Sequence, residues 1–138
     1  MDVSEVRKLT AYLRKLFGNS RIRVLPEEAD KASVFVGEER LGALVVDDED
    51  DERSYNFEVK IPIGEAATAK NLKTIETYLR RKFDNERIRV TARPRKTDSA
   101  EVSVGQEYIG VLFFDEQEKN SCYFEMPILA LDLEDVEL

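Results

Sequence analysis

The chain repeats itself at a nearly constant offset, and nothing else in it constrains the fold so tightly. The run Tyr12-Leu13-Arg14-Lys15-Leu16-Phe17, followed by Ile22-Arg23-Val24, returns as Tyr78-Leu79-Arg80-Arg81-Lys82-Phe83 and Ile88-Arg89-Val90, shifted by 66 residues. Val36-Gly37 and Leu41-Gly42-Ala43-Leu44 return as Val104-Gly105 and Ile109-Gly110-Val111-Leu112 at a shift of 68, and Phe57-Glu58-Val59 returns as Phe124-Glu125-Met126 at 67. The small changes in offset place the length differences in loops. A half of this size, roughly 65–70 residues, buries only about 60% of its unfolded surface and is marginal alone. Two tandem repeats are therefore expected, residues 1–65 and 66–138, folding as one cooperative body.

Each repeat opens on a helical pattern. Val3, Val6, Leu9, Leu13, Leu16 and Phe17 fall on one stripe at spacings of three and four, which predicts an amphipathic helix over 2–17. Asp2 with Glu5 three residues on has the form of a capping box, and Gly18-Asn19 supplies a left-handed stop. Leu72, Ile75, Leu79 and Phe83 predict the second helix over 68–83, with Thr68 as its cap.

Four strand-like segments follow each helix: 21–25, 32–36, 41–46 and 55–63, then 86–92, 100–104, 108–114 and 123–130. Ile22 and Val24 alternate with Arg21 and Arg23, the period of a strand with one buried face. Gly37-Glu38 and Gly105-Gln106 read as hairpin turns. The fold class is thus α+β: two tandem α-β-β-β-β repeats, each an amphipathic helix packed on a four-stranded antiparallel meander, arranged as a pseudo-twofold, dimer-like unit. Edge-to-edge and face-to-face joining of the two sheets both fit the pattern. The terminal stretch 132–138 alternates acids with Leu and Val and is expected to fray unless it docks.

The pattern Tyr-Leu-Arg-x-x-Phe, then Ile-Arg-Val, then Asp98-Ser99-Ala100-Glu101-Val102 and Gly105 to Phe113 resembles a small alphaproteobacterial family known only as a domain of unknown function. The second copy carries the pattern most closely. The first departs from it at 26–31, where Pro-Glu-Glu replaces the basic Arg93-Pro94-Arg95-Lys96. A typical member is about as long as one half of this chain. The resemblance implies no activity; it implies that single-copy relatives form homodimers, which this chain, itself monomeric, would mimic by fusion.

Charge and composition restrict function. The net charge of −8 argues against uniform binding to nucleic acid or anionic membrane. Its distribution is uneven: residues 67–97 hold ten Lys/Arg against three Asp/Glu, whereas 98–138 hold one Lys against eleven acids. There is no histidine, so the usual general base near neutrality is missing, and Cys122, the single cysteine, has no imidazole to activate it and no partner for a disulfide. An enzyme is not expected, nor a cofactor or metal. Neither a signal peptide nor an apolar run of membrane-spanning length is present, so a cytoplasmic location is expected.

Three features invite a binding role. Arg80, Arg81, Arg87, Arg89, Arg93, Arg95 and Lys96 form a basic stretch that could converge on an anion or a phosphate backbone. The structural alternative, preferred here, is that the first of these cations complement a helix C-terminus while Arg87 and Arg89 face acids such as Glu101 and Glu125. The acidic run 47–52 lacks the alternating spacing of a calcium loop and reads as a solvated hairpin tip. Tyr12 and Tyr78, in matching positions beside the helix stripes, suggest an inter-repeat interface. The expected function is a non-enzymatic protein-interaction module with a protein partner. The alternative is an RNA- or ribosome-associated protein acting through the basic segment 80–96.

Overall fold

A computed structural model describes residues 1–48, 52–114 and 120–138. Helix, then four strands, occurs twice: α1 (Val3–Phe17), β1 (Ile22–Glu28), β2 (Lys31–Val36), β3 (Glu39–Asp47) and β4 (Ser54–Ile61), then α2 (Leu72–Lys82), β5 (Ile88–Arg93), β6 (Lys96–Val104), β7 (Glu107–Phe114) and β8 (Cys122–Leu129). A short third helix, α3 (Ala130–Glu134), follows. Each described pairing of consecutive strands is antiparallel. The α+β tandem duplication is as expected.

The chain divides into two compact units, Met1–Glu58 with Pro127–Leu138, and Val59–Met126. The division falls inside β4 and inside β8. In the first unit the stripe Leu9, Leu13 and Phe17 is buried together with Ile22, Val34, Leu44, Phe57 and Ile128. Phe17 and Phe57 meet edge to face, with ring centres 6.3 Å apart. In the second unit Ile75, Leu79 and Phe83 are buried with Ile61, Ile88, Leu112, Phe124 and Met126.

The helix ends show how local sequence sets the boundaries. The Glu5 amide donates to Asp2 at 2.8 Å and the Asp2 amide to Glu5 at 3.3 Å, which completes the capping box. Gly18 ends α1 with φ 58°, and Asp84 takes the same left-handed place after α2 with φ 49°. Beyond each, Asn19 and Asn85 accept from the amides of Arg21 and Arg87 at 2.8 and 2.7 Å, the same turn built twice.

Several boundaries differ from expectation. α2 begins at Leu72 because the preceding turn, Ala69–Asn71, tightens into a 3-10 helix; the Thr68 hydroxyl accepts from Asn71 Nδ2 at 3.2 Å rather than capping α2. β1 runs on to Glu28 through Pro26. The Gly37 amide donates to the Arg21 carbonyl, so Arg21, Arg23 and Leu25 direct their backbone groups toward β2, and Pro26 falls on the opposite parity, where no ladder donor is required. β6 begins at Lys96, four residues early, since its polar start is held by the register Arg93↔Lys96 rather than by burial. The C-terminal stretch docks: the Asp132 carboxylate accepts from the Leu129 amide at 2.9 Å, and Leu133 is buried in the first unit, where α3 packs beside α1. No helix among the described residues is long and apolar enough to cross a membrane.

Candidate functional site

Strand alternation gives the second unit one face buried against α2 and one facing away from it. The strand register orders the outer face into rows. Arg89, Ser103 and Tyr108 stand across from one another; so do Thr91, Glu101, Val111 and Glu125; so do Ser99, Phe113 and Tyr123. Tyr108 is 56% and Phe113 41% exposed, large values for aromatic side chains. A bulge against Val102/Ser103 takes up Ile109 on the buried side and leaves Tyr108 outside. Gly110 admits β8 at close range, for a methyl group there would overlap the Glu125 carbonyl oxygen and lie 2.9 Å from the Phe124 ring.

The basic stretch does not converge. Arg80 donates from Nε to the Ile88 carbonyl at 2.8 Å and pairs with Glu76 at 3.1 Å on the helix side. Arg81 is exposed on α2. Arg87 lies over Gly105, and Arg93 reaches across the outer face to the Ser99 hydroxyl at 2.9 Å. Arg89, Arg95 and Lys96 are exposed. The expected facing of Arg89 with Glu101 is not a direct cross-strand pair, because the register sets Arg89 opposite Ser103 and Glu101 opposite Thr91. Tyr78 is half-buried on α2 with Lys82 Nζ 5.4 Å from its ring centre, and Tyr12 is half-buried on α1.

The first unit carries different chemistry on the matching positions. Ser33, equivalent to Glu101, is buried and donates to Glu27, while Arg40 Nε donates to it at 3.2 Å. Glu27 occupies the place of Arg93, an acid for a base, and each holds a different serine of the neighbouring strand, Ser33 for Glu27 and Ser99 for Arg93. Arg23 stacks on Phe35 at 5.2 Å and donates to the Gly37 carbonyl. Elsewhere in this unit Tyr55 donates to Glu5 at 2.5 Å and Arg53 pairs with the same carboxylate at 2.7 Å. Burial pushes Glu5 up, but the hydrogen bonds from Tyr55 and Arg53 outweigh it and hold the carboxyl below its usual range.

The profile of the family described as Protein of unknown function (DUF3126) matches the chain twice, over residues 5–63 and 71–132. This chain belongs to that family. It carries the DUF3126 domain as a tandem duplication, with one match beginning in each of α1 and the 3-10 turn before α2. No curated protein and no solved structure matches it.

Cys122 is fully buried in β8, and burial pushes its thiol up to about 12, so the thiolate is suppressed. Among the described residues no group of three or more metal-ligating side chains is assembled. Of the acidic run 47–52, residues 49–51 lie outside the described residues; Asp47 ends β3 and Asp48 pairs with Arg53 at 3.1 Å. Its counterpart 115–119 also lies outside them. The aromatic outer face was not legible from segment 80–96, whose one aromatic, Phe83, is buried in the core; the rings of that face come from β7 and β8 through register. Alternation of Tyr108, Val111 and Phe113 across the bulge was the available signal.

Proposed function

We propose that this protein is a non-enzymatic, cytoplasmic interaction module whose two DUF3126 copies stand in for the homodimer expected of single-copy relatives. Its binding surface is the outer sheet face of the second copy. The observation that carries this reading is the pair Tyr108 and Phe113, both exposed on a face that also presents Arg89 and Arg93. Aromatic and arginine side chains are the types that dominate protein interfaces, because they bury much area for little lost rotamer freedom. The partner is a protein presenting an apolar contact with acidic groups around it.

RNA is the second reading. Exposed aromatics beside guanidinium groups on an open sheet also suit stacking of unpaired bases. Glu101 and Glu125 in the central row weigh against it, since they oppose a phosphate backbone.

Pull-down from native lysate with three forms separates the two. They are the intact chain, a Tyr108→Ser/Phe113→Ser form and an Arg93→Glu/Arg95→Glu form. A protein partner lost with the aromatic pair and kept with the charge reversal supports the module. Nucleic acid lost with the charge reversal and with rising salt favours the second reading. Equal capture by all three forms sinks both.

A further inference from the structure

In the second unit the carboxylate of Glu76 closes the outer edge of β5. Its Oε2 accepts from the Val90 amide at 3.0 Å, its Oε1 pairs with Arg80 Nη2 at 3.1 Å, and Arg80 Nε donates to the Ile88 carbonyl at 2.8 Å. One ion pair therefore supplies the acceptor and the donor that a neighbouring strand would otherwise offer.

The first unit repeats three of the four participants. Ile22, Val24 and Arg14 occupy the places of Ile88, Val90 and Arg80, and Arg14 Nε donates to the Ile22 carbonyl at the same 2.8 Å. The parity of β1 directs the Val24 amide away from β2, as that of β5 directs Val90. The fourth participant is changed: Thr10 replaces Glu76, and its hydroxyl donates back to the Val6 carbonyl at 2.7 Å. The carboxylate is missing, while the guanidinium and the amide that would hold it remain. A groove of about 730 Å³ opens along α1 beside Thr10 and Arg14, lined also by Val6, Arg7 and Lys15 and by the tail residues Glu137 and Leu138. The side chains of Arg7, Arg14 and Lys15 outnumber the one acidic side chain there, Glu137.

We infer that this notch binds a carboxylate side chain from an acidic segment of a partner protein, seated between Arg14 and the Val24 amide as Glu76 is seated between Arg80 and Val90. A carboxylate fits both donors with its two oxygens, and the guanidinium fork favours that geometry over a spherical anion. The size of the groove and its apolar wall at Val6 suit a peptide side chain with neighbours rather than a free acid. The inference is independent of the outer sheet face.

The test is amide NMR on the 15N-labelled full chain at constant ionic strength. Three probes are titrated: sodium acetate, a capped Leu-Glu-Leu peptide and its Leu-Gln-Leu twin. The expected result is a saturable downfield shift of the Val24 amide with acetate, reached at lower concentration with the Glu peptide and absent with the Gln peptide. Val90, already bonded to Glu76, stays put. Thr10→Glu installs the second-copy arrangement; it should shift Val24 in advance and remove the response, whereas Thr10→Ala should keep it. No response at Val24, or the same response to chloride or in Thr10→Glu, overturns the site. Acetate matching the Glu peptide overturns the peptide source. A response that appears only in Glu137→Gln shows the notch held by the chain's own tail and overturns an outside ligand.

Discussion

Arg80 donates from Nε to the carbonyl of Ile88 at 2.8 Å, tying the last turn of α2 to the first residue of β5. The same guanidinium pairs with Glu76, whose other oxygen holds the Val90 amide, so helix and strand are joined through one shared charge pair. Removing the acceptor leaves a strand amide and a guanidinium without their partner. Glu76→Ala should lower stability by about 1–2 kcal/mol, within the range for hydrogen bonds to charged groups after allowance for the partial exposure of Arg80. Urea denaturation of the variant against the intact chain measures it, and an unchanged midpoint would show that the pair contributes nothing net.

Gly110→Ala should be far more damaging than its size suggests. The new methyl would overlap backbone, the Glu125 carbonyl, and press on Phe124, neither of which can swing aside as a surface side chain can. A loss of roughly 3 kcal/mol or more is expected, at the upper end for overpacking. At Gly105 the added methyl would meet only the movable end of Arg87, and the penalty there comes from φ +62° instead. Thermal unfolding of both variants should rank Gly110→Ala the less stable.

Asp84 offers a gain. It holds φ 49° at the place where α1 uses Gly18, and an L side chain in that region is strained. Asp84→Gly should stabilise the chain by about 0.5–1 kcal/mol, visible as a raised denaturation midpoint, while Gly18→Asp should lose a similar amount.

The Glu5–Tyr55 contact makes stability pH-dependent at both extremes. Burial, and then donation to Glu5, push the Tyr55 phenol from its usual 10 up to about 12. Its folded value lies above its unfolded one, so its contribution is complete below pH 10 and is lost as pH rises toward 12. Glu5 is shifted the other way: its contribution is present above the ordinary 4.5 and fades as pH falls through the lowered folded value. Tyr55→Phe should flatten the alkaline limb and weaken the acid one. Urea midpoints measured across pH test both, and an unchanged alkaline limb in the variant would refute the assignment.

Cys122 should be inert while the chain is folded. It is fully buried and its thiol is pushed up to about 12 by burial alone. Reaction with a thiol-specific reagent at pH 8 should be slow, and should accelerate with urea in step with loss of the near-ultraviolet signal. Rapid labelling without denaturant would contradict the burial.

Much of the fold was legible because it was written twice and in two distinct periods. The stripe Leu9, Leu13, Phe17 recurs as Ile75, Leu79, Phe83, and every one of these residues is buried. The capping box at Asp2 and the left-handed stop at Gly18 were equally local, each decided by side chains within a few residues of the backbone groups they satisfy. The start of β6 at Lys96 and the passage of β1 through Pro26 were not, because they depend on which edge of a strand meets its neighbour, a matter of parity and pairing.

By itself the sequence determined the duplication, the α-then-four-strands unit, the buried stripes and the poverty of catalytic groups, since these rest on residue identity and short-range spacing. Tertiary structure decided what shares a surface. It separated Arg80 from Arg93, gathered Tyr108, Phe113 and Tyr123 from two strands, and revealed that Thr10 stands where the other copy has its edge-closing carboxylate. Those relationships follow from strand register and helix placement, which bring together residues far apart in the chain.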